Sequence, residues 1–118
     1  GAPLDLGGIA KGYAADEIVR ILRKQRVRRA IIDLGGNVYV FGSKADGSRW
    51  KVGVKNPADG GASVAAVLAL EGGMSVVTSG NYERFFISGD RLYHHIIDPK
   101  TGYPGENGVA SATIVASS

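Results

Sequence analysis

Both histidines of the chain, His94 and His95, stand side by side in YHHIIDPKTGYP, residues 93–104. Histidine is the side chain best suited to move a proton near neutral pH, so the pair offers a general base just ahead of a turn. On a strand, Leu92, His94 and Ile96 share one face, while Tyr93, His95 and Ile97 share the other. At most one histidine then enters a given site, and the local pattern leaves open which. Asp98 precedes Pro99, which holds it out of the helical region and suits the first position of a turn. No serine–histidine–acid order and no H-E-x-x-H helix accompanies the pair, so a hydrolase triad or a zinc protease has little support.

Glycine marks the other sites. Eighteen glycines occur among 118 residues, about twice the usual share of roughly 7%. In DLGGIAKG, residues 5–12, a glycine pair precedes a helix with Lys11 in its first turn. Unpaired amides, a dipole end and an ammonium group suit a phosphate there. The spacing matches neither G-x-x-x-x-G-K-[ST] nor G-x-G-x-x-G, and a plain strand–helix connection is the bland alternative. Asp5-Leu6-Gly7-Gly8 is echoed by Asp33-Leu34-Gly35-Gly36, as if two strand ends delivered similar turns to one cleft. VVTSGNYERFF, residues 76–86, ends a strand in the hydroxyls of Thr78 and Ser79 at Gly80. They could meet a ligand's polar edge or satisfy turn amides.

The elements that hold these pieces follow from periodicity. A short strand, PLDLGG, leads to a helix from about Ala10 to Gln25 with Ala14, Ile18 and Leu22 on its apolar face and Ile21 beside them. Asp16 and Arg20 are spaced for an i, i+4 ion pair. Strand candidates follow in AIID, NVYVF, WKVGVK, VAAVLAL, MSVVTSG, RFFIS, RLYHHIID and VASATIVA. Asp46-Gly47 and Gly89-Asp90 signal hairpins between alternating segments. One amphipathic helix among hairpin-linked strands predicts an α+β fold with a mainly antiparallel sheet, not a doubly wound one.

The composition predicts a single soluble globular domain, with 44% hydrophobic and 21% charged residues. No apolar run reaches the roughly 18 residues that span a bilayer. The absence of cysteine excludes a disulfide scaffold, a thiolate metal site and a cysteine nucleophile. The net charge of +3 is concentrated at Arg23, Lys24, Arg26, Arg28 and Arg29. Cations at a helix end favour the negative pole of its dipole, and no aromatic residues interleave to stack bases, so no nucleic-acid partner is expected.

Taken together, LDLGGIAKGYAAD, IIDLGGNVYVFG, VVTSGNYERFF and YHHIIDPKTGYP resemble the ApbE family of FAD:protein FMN transferases, in that family's order and across nearly the whole chain. The resemblance implies a fragment of an ApbE-like, T-fold-like domain. It also implies an Mg²⁺-dependent enzyme that transfers FMN from FAD to a threonine hydroxyl of an acceptor protein, as a phosphoester, with release of AMP. FAD hydrolysis to FMN and AMP, or a non-catalytic flavin-binding module, are the alternatives.

By the same resemblance His95 is the base, and Gly7, Gly8, Lys11, Gly35, Gly36, Asn37, Ser79, Gly80, Asp98, Thr101 and Gly102 line the flavin nucleotide site. The carbonyl of Ala10 is a metal ligand. Residues 1–118 read as a truncated core, lacking an N-terminal segment and a C-terminal segment with the main metal ligands. Acceptors are expected among membrane redox-complex subunits, and the protein is expected to be a lipid-anchored member of the bacterial cell envelope or periplasm.

Overall fold

The computed structural model describes residues 3–117. The first element is helix α1, Gly7–Lys24, followed by strands β1, Ala30–Asp33, and β2, Asn37–Phe41. Strand β3, Trp50–Lys55, and a 3₁₀ turn, Pro57–Asp59, precede β4, Val64–Leu70, and β5, Met74–Gly80. Strands β6, Phe85–Ser88, and β7, Arg91–His94, come before β8, Ser111–Ser117. A four-stranded sheet has the order β1-β2-β5-β8; β3 pairs with β4, and β6 with β7. Strand β2 is antiparallel to both β1 and β5, with Ile32 opposite Tyr39 and Val38 opposite Val76. The fold is thus α+β with antiparallel pairing, as expected.

The chain divides into two units. One takes the residues through Val52, Leu68–Val77 and those from Ile114; the other takes Gly53–Val67 and Thr78–Thr113. The core of the first unit follows from the period of two along β2. Tyr39 faces α1 and packs with Ala15, Val19 and Ile32, flanked by Ile18, Leu22, Leu34 and Phe41. Val40 faces the other way and packs with Val52, Leu70 and Val76. Val40 is wholly buried, and burying such a side chain stabilises by about 1.5–3 kcal/mol.

The second unit contains the β6–β7 hairpin, whose register sets Ser88 against Arg91 and Phe85 against His94. It also contains the loop after β3, where Asn56 Oδ1 accepts the Ala58 amide and Asp59 accepts the amides of Gly61, Ala62 and Ser63.

Four expectations are corrected. PLDLGG forms no strand: Leu4 and Leu6 are exposed and α1 begins at Gly7. The buried helix face is Ala15 and Val19 with Ile18 and Leu22, while Ile21 is half exposed. Arg20 pairs with Glu17, 2.7 Å away at i, i+3, and not with Asp16. The turn at Asp46-Gly47 forms, but β3 beyond it pairs with β4, because β1 and β5 occupy both edges of β2.

Candidate functional site

In the first unit both D-L-G-G strings use aspartate in the same way. Asp5 Oδ1 accepts the Gly7 amide at 2.7 Å, and Asp33 Oδ1 accepts the Gly36 amide at 3.2 Å. The second string can then turn sharply because Gly35 and Gly36 adopt φ of 63° and 87°, which β-carbons disfavour. Lys11 reaches from α1 to this turn, donating from Nζ to the Gly35 carbonyl at 2.7 Å. The fold therefore brings Gly7, Gly8, Lys11, Gly35 and Gly36 together. Asn37, which follows, is the buried polar side chain among the described residues.

The first turn of α1 is partly committed. The amides of Ile9 and Ala10 donate to the Leu6 carbonyl, 3.0 and 2.9 Å away, and that of Gly7 to Asp5. Gly8 has no acceptor among the described residues, so its amide and the Lys11 ammonium are what this turn offers an anion. Ala10 lies inside α1, where a carbonyl accepts the amide four residues on. No cluster of three or more His, Cys, Asp or Glu is present among the described residues. A hard divalent cation wants about six oxygen ligands, so these residues do not fit a metal site.

In the second unit the two histidines are engaged differently. The backbone amide and Nδ1 of His95 both lie 3.3 Å from the Arg84 carbonyl. A carbonyl only accepts, so Nδ1 carries the proton and Nε2 presents its lone pair on an exposed ring. His94 Nδ1 instead accepts the Ile96 amide at 3.3 Å, and its half-buried ring borders a recess with Asn81, Asp90, Arg91 and Glu106.

The following turn is built by its own motif. The Asp98 carbonyl accepts the amides of Thr101 and Gly102, at 3.2 and 2.8 Å. The Asp98 carboxylate accepts the Lys100 amide, and Thr101 Oγ1 accepts the Tyr103 amide. Asp98 and Thr101 also line a recess of about 370 Å³ with Arg91, Tyr103, Pro104 and Glu106.

Ser79 is exposed and Gly80 buried. The Tyr82 ring occupies the open face of Gly80, where a β-carbon would collide with it, and its other edge lies beside Gly61. The Tyr82 hydroxyl is buried without a hydrogen-bond partner among the described residues. The roles of Tyr82, Arg91, Glu106 and the Arg84 carbonyl escape sequence reading. The one signal was the pair of opposite charges flanking YHHIIDPKTGYP, at Arg91 and Glu106.

The sequence profile of the ApbE family matches residues 1–118. A Klebsiella pneumoniae protein described as an FAD:protein FMN transferase is 45% identical over 98% of this chain and 34% of its own length. A protein of that description from Treponema pallidum is 44% identical over the same shares. Among solved structures, the ApbE protein of Thermotoga maritima superposes with a TM-score of 0.86 at 43% identity, covering 97% of this chain and 36% of that one. The apo flavinyl transferase ApbE of Pseudomonas stutzeri gives 0.74 at 34% identity, covering 96% and 34%. The chain thus spans about a third of the length of the curated relatives it matches. With the profile matched from end to end and the fold shared over nearly all of it, this chain belongs to the ApbE family.

Proposed function

We propose that this chain carries the base and part of the nucleotide site of an FAD:protein FMN transferase. The observation that supports it most directly, beside family membership, is His95, held through Nδ1 on the Arg84 carbonyl with Nε2 free. In this reading Nε2 takes the proton of an acceptor threonine hydroxyl. The hydroxyl oxygen forms a bond to the phosphorus of the FMN half, the bond from that phosphorus to the bridging oxygen breaks, and AMP leaves with the electron pair. The resemblance assigns Gly8 and Lys11 of the first unit to the pyrophosphate, to which an amide and an ammonium offer positive charge, and the Asp98–Gly102 turn of the second unit to the flavin. Mg²⁺ rests on the resemblance, which assigns it the Ala10 carbonyl; the described residues supply no His, Cys, Asp or Glu cluster for it.

The acceptor is proposed to be a membrane redox-complex subunit, and the enzyme a lipid-anchored protein of the cell envelope; both rest on the resemblance alone. No helix among the described residues is long and apolar enough to cross a membrane.

The test uses the full-length enzyme carrying this chain, mixed with FAD, Mg²⁺ and a threonine-containing acceptor. Intact mass should show an acceptor heavier by FMN less water, with AMP released, and His95→Ala should abolish both. AMP without a labelled acceptor would replace transfer by hydrolysis, a reaction that an exposed His95 leaves open to water. Neither product would reduce the reading to a binding module.

A further inference from the structure

The ion pair of Arg91 with Glu106 lies outside every motif of the sequence reading, yet it closes the segment that carries His95. The two arms of the Asp98 turn are laced by backbone contacts. The Asp98 amide donates to the Tyr103 carbonyl at 2.9 Å, Ile97 bridges Pro104, and the Gly105 amide donates to the Ile96 carbonyl at 3.0 Å. His95 sits one residue beyond the last of these. The next tie is Arg91, whose Nε donates to Glu106 Oε1 at 3.0 Å and whose Nη2 lies 2.7 Å from the same oxygen.

An exposed ion pair alone holds little. Here the guanidinium also lies 5.7 Å from the ring centre of Tyr93 and 5.9 Å from that of Tyr103, within the range of cation–π attraction. Tyr93 in turn stacks on Phe86, with ring centres 5.0 Å apart and planes within 4°. Four planar groups from β6, β7 and the turn thus fix the arm that begins at Glu106, directly after Gly105.

We propose that Arg91, acting through Glu106, is a positioning residue for His95. It pins the returning arm beside β7, so that His95 keeps its Nδ1–H on the Arg84 carbonyl and turns Nε2 toward the acceptor hydroxyl. The inference rests on the transferase reading for its effect on rate. Its effect on the histidine ring stands apart from that reading.

The experiment compares the full-length enzyme with Arg91→Met, Arg91→Glu and the charge-swapped Arg91→Glu/Glu106→Arg. FMN transfer kinetics are read beside the His95 ring nitrogens in ¹⁵N-histidine-labelled protein. Small displacements of catalytic groups are expensive in rate, so Arg91→Met should lower kcat about tenfold while KM for FAD stays within about twofold. Arg91→Glu should fall at least as far, and the swap should regain most of the loss. The His95 signals should pass from the single Nδ1–H tautomer to a mixture in Arg91→Met and return in the swap. An unchanged tautomer with unchanged kcat per folded molecule, whatever the melting temperature, would overturn the proposal. If the parent enzyme labels no acceptor, the transferase reading fails, and the ring signals still decide whether Arg91 holds His95.

Discussion

At the scale of single residues, His94 and His95 differ in which ring nitrogen the backbone engages. Nδ1 is a donor to Arg84 in His95 and an acceptor from Ile96 in His94. The neutral rings are therefore opposite tautomers, and His95 alone offers Nε2 as a base. His95→Asn should reduce transfer by about 10²–10⁴-fold, the usual worth of a general base. His94→Asn should remain within a few fold in the same progress curves; the reverse order would sink the assignment. Gly8 separates structure from function in a different way. An added β-carbon meets nothing within 4 Å, and alanine favours a helix over glycine by about 1 kcal/mol. Gly8→Ala should therefore leave melting unchanged or raised. If FAD affinity, read by flavin fluorescence, also stays unchanged, no ligand approaches that backbone. Tyr82 carries a sign that runs against habit. Its hydroxyl is buried without a partner, so Tyr82→Phe removes an unsatisfied donor and should be neutral or stabilising by about 1 kcal/mol in thermal unfolding. A clear loss of stability would show that the oxygen has a partner in solution.

At the scale of elements, the loop after β3 is held by one carboxylate. The Ser63 hydroxyl first, and then the amides of Ser63, Ala62 and Gly61, hold the Asp59 carboxyl below its ordinary range against a smaller opposing effect of desolvation. A depressed folded-state value means the stabilisation is fully present above the unfolded-state value and is lost as pH falls through the folded one. Asp59→Asn should accordingly destabilise at neutral pH, and the gap between the two melting temperatures should close below the ordinary aspartate range. A gap that persists in acid would assign the effect to shape. Much of this level was legible beforehand. The strand segments and the Gly89-Asp90 hairpin follow from alternation and turn residues. So does the Asp98 turn, because Pro99 and Thr101-Gly102 dictate local geometry. Two of the failures depended on partners distant in sequence. NVYVF and WKVGVK flank a sound turn, but β2 pairs with β1 and β5, a choice made by burial on both faces. The helix face was displaced by one residue because Ala14 and Ala15 are equivalent to a pattern, and only packing against Tyr39 selects Ala15. The motifs named candidate residues. The carbonyl of Arg84 has no sequence signature, since any residue supplies a carbonyl, and Arg91 and Glu106 show in the sequence only as opposite charges flanking the motif, which pair once the turn closes.

At the scale of the whole molecule, much of the apolar surface faces solvent. All four residues of β6 are exposed, with Phe86 at 62% and Ile87 at 66%, as are Val64 and Val67 on β4 and Ile114 on β8. A two-stranded hairpin with apolar side chains on both faces is marginal in water unless something packs on it. The relatives are about three times as long as the stretch they share with this chain, so further residues are available in them to cover such faces. The 118-residue chain alone should therefore bind 1-anilinonaphthalene-8-sulfonate and exchange the β6–β7 amides quickly. A protein of the relatives' length carrying the same sequence should protect those amides and lose the dye signal. Phe86→Ser with Ile87→Lys should diminish the dye signal of the short chain and lower the stability of the long one. Equal exchange at both lengths would mean the hairpin is exposed in the enzyme too. Its stacked rings and Arg91 would then be a solvent-facing surface in the longer protein as well, on the segment that carries His95.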